Sequence, residues 1–472
     1  MHDALRALEQ ALERWPQRDD AAPADLGGEA LALLEAAQGA LGDAPEGEAL
    51  RALWRRYLDT TGSRTFLCAL PDRERRYAWS ETAFAALQRG DYRLLQLLER
   101  NLRNTPRRPF LAEHIGDSPT RWSYAQVERS VAAIAAAFCA AQREPRVAIF
   151  ADNGLHGACC DLACLLHGIF VSPLNVHTDG ATVAWICEQL AINLIVTDSE
   201  ERAEQLRRAT RAMAQRPQLV VLGSQPGDGG DEGEPPTIQL AETTARIGVD
   251  EARQILEARR PPSLHEVATV LFTSGSTGRP KGVSFSYYQL VAKRFARHAA
   301  LPEVGQDELL FAYLPLYHTF GRYLELLGML YWGGTYVFAG NPSTDTLLTG
   351  LARDRPTGLI SVPVRWAQIH ERCLERLGDR HDEEAQREVV ADVCGGRLRW
   401  GLSAAGYLAP KSFRFFQRNG VALCSGFGMT EATGGITMSP PGEYKEDTVG
   451  IPLPGVTLRF GELDELQVKG QY

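Results

Sequence analysis

No window of the 472-residue chain approaches the eighteen or so uninterrupted apolar residues that a membrane-crossing helix needs. Positive charge is also in short supply. Fifty Lys and Arg stand against 59 Asp and Glu, a net charge of −9, so a basic face for nucleic acid is not expected. The nine cysteines lack the paired spacing of a disulfide framework and include the adjacent Cys159 and Cys160, which predicts reduced thiols. The opening stretch MHDALRALEQALERW carries charges throughout and has no apolar core of a secretory signal. These absences predict a cytoplasmic protein and leave peripheral contact with a membrane open. What is present is ordinary for a folded chain: 44% hydrophobic and 23% charged residues. The length suggests two to four structural units.

The first hundred residues read as helices. Leu5, Leu8, Leu12 and Trp15 recur at helical spacing, as do Leu50, Leu53, Trp54 and Tyr57, and DYRLLQLLERNLRN predicts a further helix ending before Pro106. Residues 1–103 are therefore expected to form a helical N-terminal extension, with packing or oligomerisation as its plain role. From Phe110 onward the pattern alternates. RVAIFA, GIFVSPL, LIVTD and LVVLG read as buried strands separated by helices, which predicts an α/β fold with a parallel sheet covered on both faces. The Gly-rich stretch 223–236 reads as a mobile surface loop.

One helix carries a possible metal quartet. In HGACCDLACLLHG, residues His156, Cys160, Cys164 and His167 share a helical face. Eleven residues of helix span roughly 16 Å, however, and zinc ligands must converge to about 2.0–2.3 Å from the ion. Core packing of small thiols is the expectation.

The strongest chemistry lies at LFTSGSTGRPKGV, residues 271–283. A β-rich run, VATVLFT, leads into glycines that let consecutive backbone N–H groups face a polyanion. Thr273, Ser274, Ser276 and Thr277 add hydroxyls, Gly275 and Gly278 add freedom, and Lys281 adds a charge. This is phosphate-cradle chemistry, although the lysine spacing is not that of a Walker A loop. A bare surface loop would not need the hydroxyls and the lysine together.

The stretch TSGSTGRPKGV resembles the signature of the acyl-adenylating (AMP-binding) superfamily. PLYHTFG (315–321), SAAG (403–406), GFGMTE (426–431), DTVGIPLPG (447–455) and ELQVKG (465–470) resemble further motifs of that family, in its order. The set, with VPVRWAQI (362–369), is most similar to the large N-terminal domain of long-chain fatty acyl-CoA synthetases. The resemblance implies a large adenylating domain over 104–472, built of two αβα-layered subdomains and a small distorted β-barrel. It implies that Thr273 to Gly278 and Lys281 hold the β- and γ-phosphates of ATP. Ala404, Ala405 and Gly406 would lie against the purine, and Gly426, Phe427, Gly428, Met429 and Thr430 would bind the nucleotide. Phe427 stands where the family has tyrosine, so stacking is kept and a hydroxyl is lost. Glu431 would be the magnesium ligand, a hard oxygen for a hard cation. Thr430 would reach the α-phosphate.

His318, in PLYHTFG, resembles the family histidine near the substrate carboxylate; a packed or capping histidine is the plain alternative. The apolar run around Leu314, Leu316, Phe320, Leu324, Leu327 and Leu330 could line an alkyl channel, and a buried helix would look the same. The implied catalytic set is Lys281, His318, Thr430 and Glu431, with ATP, Mg2+ and coenzyme A as cofactors and co-substrate. The implied reaction joins a medium- or long-chain fatty acid to coenzyme A through an acyl-adenylate. An aryl- or amino-acid ligase and a non-catalytic acyl or nucleotide sensor are the competing readings. The family continues past LQVKG into a small lid domain with a catalytic lysine, so a chain ending at Tyr472 is expected to be truncated before the lid. Nucleotide binding is expected to outlast adenylation in such a chain.

Overall fold

The computed structural model describes residues 3–16, 22–42, 47–115, 118–223, 235–274, 279–340, 343–380 and 382–472. Most of the Gly-rich stretch 223–236 lies outside these residues. So do Gly275, Ser276, Thr277 and Gly278 of the phosphate-cradle loop.

The described chain forms two compact units. One comprises Asn101–Tyr287 and Tyr313–Arg322. Its seven-stranded sheet runs, from edge to edge, Ile238–Gln239, Gln218–Val221, Leu194–Thr197, Arg146–Phe150, Phe170–Pro173, Val267–Thr273 and Lys281–Ser286. All neighbours are parallel except the last two, which form an antiparallel hairpin. The inner strands are buried and mainly apolar because both faces are covered, which is why they read as near-continuous runs rather than alternating ones. Phe150, Val183, Ile186, Ile195, Leu206 and Val221 meet in one core cluster. The helices start where sequence chemistry says they should. Ser123, Asp179 and Ser199 each accept a hydrogen bond from the backbone N–H three residues on.

Leu155–Leu166 is a single helix, as its periodicity predicts. Cys159, Cys160 and Cys164 are buried in it, and burial pushes the Cys159 thiol up to about 12. His156 is exposed and meets the edge of Trp122 at 5.3 Å. The thiols pack as small apolar side chains.

The other unit comprises Met1–Arg100, Tyr288–Ala312 and Tyr323–Tyr472. Its strands run Ile451–Pro452, Gly434–Met438, Ala422–Met429, Trp400–Ser403, Gly358–Ser361, Leu309–Ala312 and Thr335–Phe338. The first three pair antiparallel and the rest parallel, so the sheet is mixed. A separate hairpin pairs Val456–Phe460 with Leu466–Gly470.

The N-terminal helices bury their apolar faces inside this unit. Leu5, Leu8, Leu12, Trp54 and Tyr57 are buried. Trp79 and Tyr92 meet Phe295 at 5.8 and 6.0 Å, and Phe84 meets Tyr472 at 5.4 Å. Packing is thus a role these helices fill within their own chain.

Candidate functional site

In the first unit the glycine-rich loop leaves the carboxyl end of Val267–Thr273 and returns through Lys281–Ser286. Thr273 stands opposite Lys281 in the antiparallel register, and the Thr273 hydroxyl donates to the Lys281 carbonyl at 3.5 Å. The mouth of the loop is therefore a hairpin end with a hydroxyl and an ammonium on facing residues. Ser274 and Lys281 are exposed. Arg279 lies over the Trp185 ring, 5.7 Å from its centre, which anchors the returning arm.

The PLYHTFG turn belongs to the same unit and the same sheet edge. Asn153 follows the carboxyl end of Arg146–Phe150. Its side chain donates to the Leu314 carbonyl at 2.8 Å and accepts from the Leu316 N–H at 3.0 Å. A two-sided clamp of this kind fixes the backbone that leads into His318. The turn is also held from below. Arg322 Nε donates to Asp161 at 2.7 Å, and Arg322 Nη1 donates to the Thr269 hydroxyl at 2.7 Å. Both members of this ion pair are buried. The Arg322 N–H meanwhile donates to the His318 carbonyl at 3.0 Å. One side chain thus ties the His318 turn to the strand that feeds the glycine-rich loop. Gly321 is required here: a Cβ would stand 2.4 Å from the Leu314 carbonyl oxygen.

His318 itself reaches the surface of its unit. Its Nδ1 accepts from the Phe320 N–H at 3.3 Å, so the neutral ring carries its proton on Nε2. Desolvation holds its pKa below the ordinary histidine value.

The second unit holds the remaining expected residues on three adjacent parallel strands. Ser361, Ser403 and Ser425 stand in register; the first two end their strands at the carboxyl edge, and at Ser425 the parallel pairing ends while the strand runs on to Met429. That edge is where open α/β sheets bind ligands. After Ser403 come Ala404, half-buried, then Ala405 and Gly406, both exposed. Ala405 has φ +66°, a left-handed conformation costly for a residue with a Cβ. Ala405 and Gly406 line a cavity of about 700 Å³ together with Pro363, Ala367, His370 and Tyr407.

After Ser425, Gly426 to Met429 continue as a strand paired with Gly434–Met438. Phe427 and Met429 are partly exposed, at 36% and 44%. Gly428 admits no side chain, because a Cβ would lie 2.2 Å from the Gly434 carbonyl oxygen. Thr430 is buried and Glu431 exposed in the short turn Thr430–Ala432. Glu431 offers one hard carboxylate. That suits Mg2+, which takes most of its ligands from phosphate and water.

Thr273, Ser274, Lys281 and His318 thus share one sheet edge, while Ala404, Ala405, Gly406 and Gly426 to Glu431 share another. Sequence reading missed Asn153, Asp161 and Arg322, whose roles come from contacts distant along the chain. The apolar run that includes Leu324, Leu327 and Leu330 also contains Glu325, which is fully buried there. Gly328 and Gly334 are explained by crowding: a Cβ on either would come within 2.8 Å of Trp332 or of the Glu308 carbonyl oxygen.

One largely parallel and one mixed sheet, each covered by helices, make an α/β fold like that of adenylating enzymes. The chain belongs to the AMP-binding enzyme family, which it matches over residues 98–470. It is 26% identical over 367 residues to the long-chain-fatty-acid–CoA ligase FadD15 of Mycobacterium bovis, covering 70% of this chain and 58% of that protein. It is 24% identical over 420 residues to long-chain-fatty-acid–CoA ligase 6 of Mus musculus, covering 79% and 58%. The chain thus spans less than two thirds of the length of these curated relatives.

Solved structures share the fold. VinN in complex with L-aspartate superposes with a TM-score of 0.63 at 20% identity, covering 80% of this chain and 88% of that one. The anthranilate CoA ligase AuaEII in complex with anthranoyl-AMP gives 0.64 at 18% identity, covering 80% and 70%.

Proposed function

We propose that this chain is the large domain of an ATP-dependent acid–thiol ligase, with 104–472 as the adenylating domain and 1–103 as a helical extension. The observation that carries the reading is the pairing of Thr273 with Lys281 at the mouth of the glycine-rich hairpin. It puts a hydroxyl and a cation where a loop of backbone N–H groups can receive a polyphosphate.

In this reading the carboxylate of the acid attacks the α-phosphorus of ATP. The bond to the β-phosphate oxygen breaks, pyrophosphate leaves, and an acyl-adenylate remains. The thiolate of coenzyme A then attacks the acyl carbon and AMP departs with the electron pair. Attack of one anion on another needs neutralised charge. Lys281 supplies part of it at the β- and γ-phosphates, and the Thr430 hydroxyl contacts the α-phosphate. Glu431 would hold Mg2+, which supplies further charge neutralisation when bound. His318 donates from Nε2 to the substrate carboxylate and orients it, a role its Nδ1 contact to Phe320 supports. Ala404 to Gly406 and Phe427 take the purine.

The acid is a medium- or long-chain fatty acid, supported by the names of the relatives in Mycobacterium bovis and Mus musculus. An aryl- or amino-acid substrate is the second reading, supported by the anthranilate and aspartate complexes that share the fold. Pyrophosphate release by the full-length protein tests both with one panel of acids: butyrate to palmitate, benzoate, anthranilate and aspartate. Release with alkyl acids alone supports the first reading. Release with the ring or amino acids alone replaces it with the second. No release with any acid leaves a binding protein and rejects the ligase.

A further inference from the structure

The strand Gly434–Met438, which pairs with the GFGMTE segment, is backed by Lys293 and Arg297, and Arg294 lies beside them on the same helix. Lys293, Arg294 and Arg297 lie on the helix Tyr287–Ala300 and are 0%, 3% and 4% exposed. Lys293 Nζ donates to the Gly435 carbonyl and sits 4.3 Å from the centre of the Tyr472 ring. Arg297 Nη1 lies 3.7 Å from the Met438 sulfur. Gly435 has no space for a side chain, since a Cβ would stand 2.4 Å from Arg297 Nη2. Gly435 faces Gly428 in the strand register. Lys293 and Arg297 are therefore one strand removed from the GFGMTE segment, in the same unit.

Nothing described neutralises them. Among the described residues no ion pair joins Lys293, Arg294 or Arg297 to a carboxylate. Nε and Nη1 of Arg294 and Nε of Arg297 are buried without a hydrogen-bond partner. Glu325 is fully buried in this unit, but both its oxygens are unpartnered and burial alone raises its pKa. It does not serve as their counter-ion.

Basic groups buried without a counter-ion are expensive, and apolar side chains of similar volume would pack the same helix at less cost. Buried donors left without acceptors are rare enough in native folds to require a reason. Arginine forks match the geometry of carboxylate and phosphate, and lysine adds a point charge. We propose that Lys293, Arg294 and Arg297 form an internal oxyanion site that takes a carboxylate or phosphate group. The site goes beyond the ligase reading and does not depend on it. Its ligand has two sources: a free inorganic anion, or a second acidic end on a bound organic acid.

Thermal unfolding and calorimetric titration of the protein in anion-poor buffer test the site, with inorganic phosphate and adipate as probes. At least one probe is expected to bind saturably and raise the unfolding midpoint. Phosphate alone identifies the free anion, and adipate alone identifies the second end of an acid. Arg294→Met and Arg297→Met are each expected to weaken that binding by about tenfold or more, the effect of losing a charge-assisted hydrogen bond. The midpoint without anion should stay level or rise, because an unpaired charge is removed. Lys281→Ala should retain the effect, which separates it from binding at the glycine-rich loop. Loss of the effect in Lys281→Ala overturns the proposal, as does an increment that survives both arginine substitutions. A flat response of the unsubstituted protein to both probes overturns it without any variant having to fold.

Discussion

Lys281 ends a hairpin whose strands pair without needing its charge, since its backbone makes the ladder and its ammonium is exposed. Lys281→Ala is therefore expected to weaken Mg-ATP binding by about tenfold or more and leave the unfolding midpoint unchanged. Calorimetric titration beside a thermal melt checks this, and unchanged affinity in a normally folded variant removes the phosphate role. Glu431 differs because the partner proposed for it is a metal. Glu431→Gln should lower ATP affinity in the presence of magnesium and leave it unaltered in EDTA. Equal losses under both conditions would take the carboxylate away from the metal. These residues were legible in the sequence because each sits inside a short contiguous motif whose chemistry is local. Asn153 was not, because its work is to clamp Leu314 and Leu316, far away along the chain.

At the scale of elements, the Asp161–Arg322 pair joins the helix Leu155–Leu166, the strand Val267–Thr273 and the His318 turn. Removing one member leaves an uncompensated buried charge. Asp161→Ala is expected to cost about 3–5 kcal/mol in urea unfolding, and an apolar replacement of both members should recover much of it. A single variant of near-normal stability would show that the pair is not what holds the turn.

Acid sensitivity belongs to this scale as well. His298, on the helix Tyr287–Ala300, is fully buried, and burial lowers its pKa to about 3; Arg100 adds to the shift. Burial likewise lowers His167, at the end of Leu155–Leu166, to about 4. The unfolded chain binds protons at both near the ordinary value of about 6.5, whereas the folded chain does not. Both histidines therefore contribute stability that is complete above about pH 6.5 and is lost progressively as the pH falls toward these lowered values. Urea midpoints measured from pH 7 to pH 4 should fall steadily, and a flat profile would contradict the buried neutral rings.

For the whole molecule, the alternation of strands and helices was legible from Phe110 onward because buried parallel strands are continuous apolar runs. The division into units was not. Tyr288–Ala312 and Met1–Arg100 share a unit with the second sheet, whereas Tyr313–Arg322 belongs with the first. Such interleaving leaves no trace in local periodicity, since it is set by contacts such as those of Trp79 and Tyr92 with Phe295. The three buried cations of one helix were equally hidden, because sequence spacing shows a charge without showing what covers it.

The central claim is that the family fold here activates a carboxylic acid with ATP, and substrate length is its most direct probe. Each buried methylene is worth about 0.8 kcal/mol, so an acid longer by four carbons should bind more tightly by roughly a hundredfold until the chain is accommodated. Pyrophosphate release by the full-length protein, measured from butyrate to palmitate at fixed Mg-ATP, is predicted to depend on added acid and to rise along the series in this way. Release that is absent with every acid would contradict the account at its root.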